Sequence, residues 1–191
     1  MIMFCEEKVA QMAAYLLLKR GGRMAYIKLM KLLYLAEREY ILSYGDSMTG
    51  DRAVSMDNGP VLSKTYDLLK SGSPDSESPW AEWIAGERNY EVSIKKKIHG
   101  LNNDDAFDEL SRADIRILDK VFAEFGAFKR FDLCDLTHRI CPEWQDPHGS
   151  SIPINPKAVL MAGGKTEEEA EMLIKLMRER SEIQKFSAQL S

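Results

Sequence analysis

The stretch YIKLMKLLYLAEREYILSY, Tyr26 to Tyr44, decides the fold class. Tyr26, Leu29, Met30, Leu33, Tyr34, Tyr40, Ile41 and Tyr44 recur with the period of a helix and share one face, while Lys28, Lys31 and Arg38 share another. Gly45 follows, where a left-handed residue would close such a helix. Glu37 falls inside the apolar stripe. A carboxylate there is costly to bury without donors, so it is expected at an interhelical seam, bonded to a tyrosine hydroxyl, a backbone N–H or a basic side chain.

Working outward, Val9, Met12, Ala13, Leu16 and Leu17 predict a first helix from Glu6, ended by Gly21-Gly22. After Gly45 the period is lost, and Arg52 to Met56 alternates enough for a small strand or extended arm. Pro60 suits the first position of a helix that carries Val61, Leu62, Tyr66, Leu68 and Leu69 to Gly72. Ser71 to Pro79 has the composition of a surface loop, after which Trp80, Trp83 and Ile84 return the chain to the core. Tyr90 to Lys95 alternates as a strand and is expected to pair with the 52–56 arm.

Ser111 and Asp114 form a capping-box pattern opening a helix of Ile115, Leu118, Val121, Phe122 and Phe125. A further helix from about Arg130 to Ile140 is stopped by Pro142, and Asn155-Pro156 starts a short turn. Thr166 and Glu169 open the last helix, expected to reach about Phe186. The expectation is a mainly α protein. Residues 1–164 form a single compact helical domain with a minor two-stranded β element. Residues 165–191 form an amphipathic C-terminal helix that packs on the domain or at an oligomer interface, as in a homodimer.

The chain has 191 residues, 45% hydrophobic and 29% charged, enough for one good core. Its 26 basic and 30 acidic residues leave a formal charge of −4, which disfavours a polycation wrapped on nucleic acid. Three cysteines suggest a reducing compartment. The apolar run Ala10 to Leu18 follows Glu6 and Glu7 and lacks a cleavage site, so neither signal peptide nor membrane span is expected and a cytoplasmic protein is. Charge is segregated along the chain. Lys19, Arg20, Arg23, Lys28 and Lys31 have no acid among them between Val9 and Ala36, whereas six acids face Arg112 and Arg116 over residues 102–119. These stretches read as two solvated faces, or as a dipolar surface that steers a charged partner. The 19–31 patch could instead contact phosphates, as in an autorepressor of its own operon.

Catalytic signatures are lacking: no glycine-rich phosphate loop, no G-x-S-x-G elbow, no H-E-x-x-H helix. Cys134, His138, Cys141 and His148 are potential zinc ligands, the first three on one helical face, but their spacing is not that of a usual structural zinc site. Cys134 and His138, one turn apart, could make a nucleophilic pair but lack a third orienting group. No metal, cofactor or catalytic residue is expected.

Lys28 to Ala36, KLMKLLYLA, resembles the KLxKLLYxA signature of the Panacea domain, the family of SocA-like antitoxins and phage-associated proteins. Met56 to Tyr66 is similar to its GPVxxxxY segment, and Leu136-Thr137-His138 with Trp144 to its third landmark. Together these span about 60% of the chain, in the family's order. The resemblance implies a non-enzymatic protein that neutralises a cognate toxin by binding it. Because one member of the family is an adaptor delivering its toxin to a protease, a protease is a further implied partner. Lys28, Leu33, Tyr34, Gly59, Pro60, Val61 and Tyr66 are expected to be structural: Gly59 for a positive φ or tight packing, Pro60 for helix initiation, the tyrosines for packing with a hydroxyl partner. Alternatively, Asp57, Asn58, Lys64, His138 and Trp144 line one partly exposed groove that a toxin segment enters. A nucleic-acid-binding regulator, an enzyme using the Cys134/His138/Cys141 region, and a phage or mobile-element protein binding a host factor are the rival expectations.

Overall fold

A computed structural model describes residues 3–86, 88–98 and 106–190. Two helices form its centre: α1 (Glu6–Lys19), buried from Val9 through Leu17, and α2 (Tyr26–Tyr44), which closes at Gly45 with φ +60°. Strand β1 (Arg23–Ala25) joins them after Gly21 and Gly22, both at positive φ. α2 is buried on every side from Lys28 to Glu37, so Lys28 and Lys31 do not lie on a solvated face. A helix enclosed all round cannot be told from an amphipathic one where lysines interrupt the pattern, because their stems bury like hydrocarbon. Glu37 meets a loop, not a helical seam: its carboxylate accepts from the hydroxyls of Ser47 (2.6 Å) and Thr49 (2.8 Å) and from the N–H groups of Met48 (3.1 Å) and Thr49 (2.9 Å).

The β structure exceeds a two-stranded element. Strands β2 (Ala53–Met56), β3 (Gly59–Leu62) and β6 (Ile152–Pro153) form one antiparallel sheet in the order β3-β2-β6. In the other, β5 (Glu91–Ile94) lies between β1 and β4 (Ile84–Gly86). The 52–56 arm therefore pairs with its own hairpin partner, Met56 opposite Gly59, and not with the 90–95 strand. A hairpin closed by Asp57-Asn58 costs less chain entropy than a pairing some 40 residues distant. β1 and β4, at three residues each, are too short to display alternation.

Pro60 does not start a helix. It sits in β3 opposite Ser55, on an edge strand where its missing N–H costs no ladder bond. α3 (Ser63–Ser71) begins three residues later because Asp51 caps it from a distance, accepting from the N–H groups of Lys64 (3.1 Å) and Thr65 (2.8 Å) and from the Thr65 hydroxyl (2.8 Å).

Short helix α4 (Pro79–Trp83) carries Trp80 and Trp83 into the core, where Trp83 stacks on Phe107 and donates to Glu7. Ser111 and Asp114 make the expected reciprocal cap of α5 (Arg112–Phe125). α6 (Arg130–Ile140) and α7 (Pro156–Ala162) follow. The last helix, α8 (Glu167–Leu190), opens with reciprocal Thr166–Glu169 bonds and runs past Phe186. Ala170, Met177 and Ser181 are buried on its inner side, Leu173 lies against Gly45, and Arg180 pairs with Asp46 at 3.0 Å. On the opposite side Met172, Leu176, Ile183 and Phe186 are exposed.

Candidate partner-binding site

Lys31, Tyr34 and Arg38 lie at i, i+3 and i+7, one stripe of α2. Lys31 has no exposed surface, and its ammonium donates to the Pro60 carbonyl at 2.9 Å. Burial lowers its pKa to about 8, against smaller opposing effects of Cys134 and Cys141. One turn back, Lys28 donates to the carbonyls of Gly126 (2.6 Å) and Phe128 (2.8 Å), supplying a cation where α5 ends. The Tyr34 hydroxyl and Arg38 Nε both donate to Glu143 Oε1 at 2.7 Å, and burial together with Glu143 holds the phenol well above its usual range. Leu33 and Val61 fill the core between these links, while Tyr66 is half-buried with its hydroxyl bonded to Lys70.

The β2–β3 turn is locked onto α6. Gly59 has φ +96°, and a Cβ there would lie 2.7 Å from Thr137 Oγ1 and 3.1 Å from His138 Nε2. Both the positive φ and the close approach thus require glycine. Thr137 Oγ1 in turn donates to the Cys134 carbonyl. The His138 ring lies 4.2 Å from that of Trp144, inclined 33°, and Trp144 Nε1 donates to the Met56 carbonyl at 3.0 Å. Asp57 accepts from the Gly149 N–H at 2.9 Å, fastening the exposed loop after Trp144 to the tip of the turn. Burial, then Lys31, hold the His138 pKa below its ordinary value, which keeps the ring neutral at pH 7.

Asp57, Asn58, His138 and Trp144 therefore gather at one end of the hairpin, with the first two exposed and the rings half-buried. Lys64 does not join them. It lies beyond the other end of β3, its ammonium 4.8 Å from the centre of the Phe4 ring.

Cys134 and Cys141 are buried, and burial pushes both thiols up, Cys141 to about 12. A thiol that stays protonated at neutral pH is a poor nucleophile and metal ligand. His148 is exposed beside Asp146. Among the described residues, no group of three His, Cys, Asp or Glu is placed to hold a metal ion.

One pair joins the two segregated stretches, Lys19 with Asp119 at 2.6 Å; Lys8 pairs with Asp114 at 3.0 Å, and Arg23 with Glu91 at 3.8 Å. With Lys28 and Lys31 buried, the 19–31 stretch offers no continuous row of free cations for phosphates.

A family model described as antitoxin SocA-like, Panacea domain, matches residues 29–145. The chain belongs to this family. The Panacea match opens inside α2 and ends one residue past Trp144, so it encloses the Lys31–Pro60, Tyr34–Glu143 and Gly59–His138 relationships. No curated protein and no solved structure matches the chain. Within the described residues, no helix is long and apolar enough to cross a membrane. Two residues that organise this Panacea domain escaped sequence reasoning: Glu143, anchor of Tyr34 and Arg38, and Asp51, cap of α3. The signal for Glu143 was an acid held between Pro142 and Trp144; Asp51 carried none.

Proposed function

We propose that the chain is the antitoxin of a toxin–antitoxin pair and neutralises its cognate toxin by direct protein contact, without catalysing a reaction. Membership of the SocA-like Panacea family carries this reading. The site geometry supports it: the landmark side chains are spent on internal bonds that hold the Asp57-Asn58 turn and the loop after Trp144 as one rigid surface. A preformed surface loses little entropy on binding, as a protein recognising a folded partner requires.

The test is co-expression with the protein encoded by the neighbouring reading frame, followed by affinity capture of the pair. Relief of toxicity with stoichiometric capture is expected. Asn58→Arg at the exposed turn should abolish relief at unchanged thermal stability. Relief without a complex, or no relief by the wild-type chain, overturns the reading.

A further inference from the structure

A cavity of about 600 Å³ opens between α2, the Asp51–Ala53 segment, the chain from Pro153 to Val159, and α8. That volume lies within the roughly 300–1,000 Å³ of small-molecule sites. Its walls are mainly apolar, formed by Ile41, Ile154, Val159, Ile174 and Met177. Two basic residues, Arg52 and Arg178, are also among the lining residues. Both residues are exposed, and neither side chain has an ion pair or hydrogen-bond partner within the described residues, whereas Arg180 on the same helix is paired with Asp46.

The two carboxylates in the wall do not supply that partner. Glu37 is occupied by Ser47, Met48 and Thr49, and Asp51 by the first turn of α3. Two unpaired arginines beside an apolar chamber match a ligand with one anionic end, and their planar forks suit a carboxylate. Asp51 in the wall opposes a dianion more strongly than a monoanion, which favours a carboxylate over a phosphate dianion.

We propose that this cavity binds an apolar molecule bearing a single carboxylate, its body against Ile41, Ile154, Val159 and Met177 and its charge on Arg52 and Arg178. The inference does not rest on the antitoxin reading, because the walls contributed by residues 153–178 lie outside the 29–145 family match. Such a ligand touches α2 and α8 at once and so fastens the last helix to the domain. A free fatty acid and the C-terminus of an apolar peptide share this chemistry.

The test is calorimetric titration of the full chain with dodecanoate below its micellar concentration, and in parallel with the tripeptide acetyl-Leu-Leu-Phe as free acid and as amide. Saturable one-to-one binding of dodecanoate or of the free-acid peptide is expected, and which of them binds identifies the source. Arg178→Gln, a surface change that leaves the fold intact, should weaken binding at least tenfold, and Val159→Trp should abolish it by filling the chamber. Failure of both probes to saturate overturns the proposal, as does equal binding of dodecyltrimethylammonium or an unchanged affinity in Arg178→Gln.

Discussion

The ammonium of Lys31, enclosed at mid-helix in α2, is tied to the carbonyl of Pro60 on the edge strand β3. This bond joins two landmarks of the Panacea family, and it does so with a charge held at a cost. Desolvation brings the folded-state pKa to about 8, below the ordinary 10.5. Between those values the unfolded chain binds more protons than the folded one, so Lys31 makes stability rise with pH. Relative to Lys31→Met, the wild type should gain about 1 kcal/mol between pH 8 and pH 9. Urea denaturation of both proteins at the two pH values measures this; the comparison cancels the opposite effect of Cys141, whose raised thiol pKa removes stability above about pH 9.

Gly59→Ala forces a Cβ against Thr137 Oγ1 in a backbone conformation that favours glycine. A loss of about 2–3 kcal/mol is expected from strain and displaced packing. Thr137→Ser keeps the hydroxyl in place, so it should not rescue the variant in a denaturation series.

Glu143 gathers two donors on one oxygen, so its removal leaves both without their partner. Glu143→Ala should cost about 3 kcal/mol and Tyr34→Phe about 1 kcal/mol. The double variant should be less destabilised than the sum of the two, and a double-mutant cycle by chemical denaturation reads the difference.

Asp51→Ala removes the cap of α3 without touching its helical residues. About 1–2 kcal/mol is the expected cost. Amide exchange should quicken first at Lys64 and Thr65, whose N–H groups lose their acceptor.

Helices were legible where one segment contains all its own signals. Ser111 with Asp114, Thr166 with Glu169 and Tyr26 to Gly45 each carry cap and period together, and each forms as read. The β strands were less legible because three-residue segments such as Arg23–Ala25 have no period to detect. Pro60 misled for a related reason. Proline is equally at home at a helix start and on an edge strand, and the cap that decides between them, Asp51, acts from outside the helix. In the candidate site, Gly59, His138 and Trp144 could be named from the sequence because the Panacea landmarks contain them. Lys64 went astray because nearness in sequence stood in for nearness in space: β3 carries it away from the turn.

The wiring of α2 also sets a timetable for synthesis. Lys31 meets its acceptor 29 residues downstream, but Lys28 waits for Gly126 and Tyr34 for Glu143, the latter 109 residues away. At roughly 5–20 residues per second, α2 emerges from the ribosome about 5–20 s before the carboxylate that completes it. Until then the Tyr34 hydroxyl and the Arg38 guanidinium lack the carboxylate they share. The helix that begins the family match is therefore among the last to find its permanent surroundings, and a nascent chain halted before Glu143 lacks the anchor that joins α2 to the end of α6.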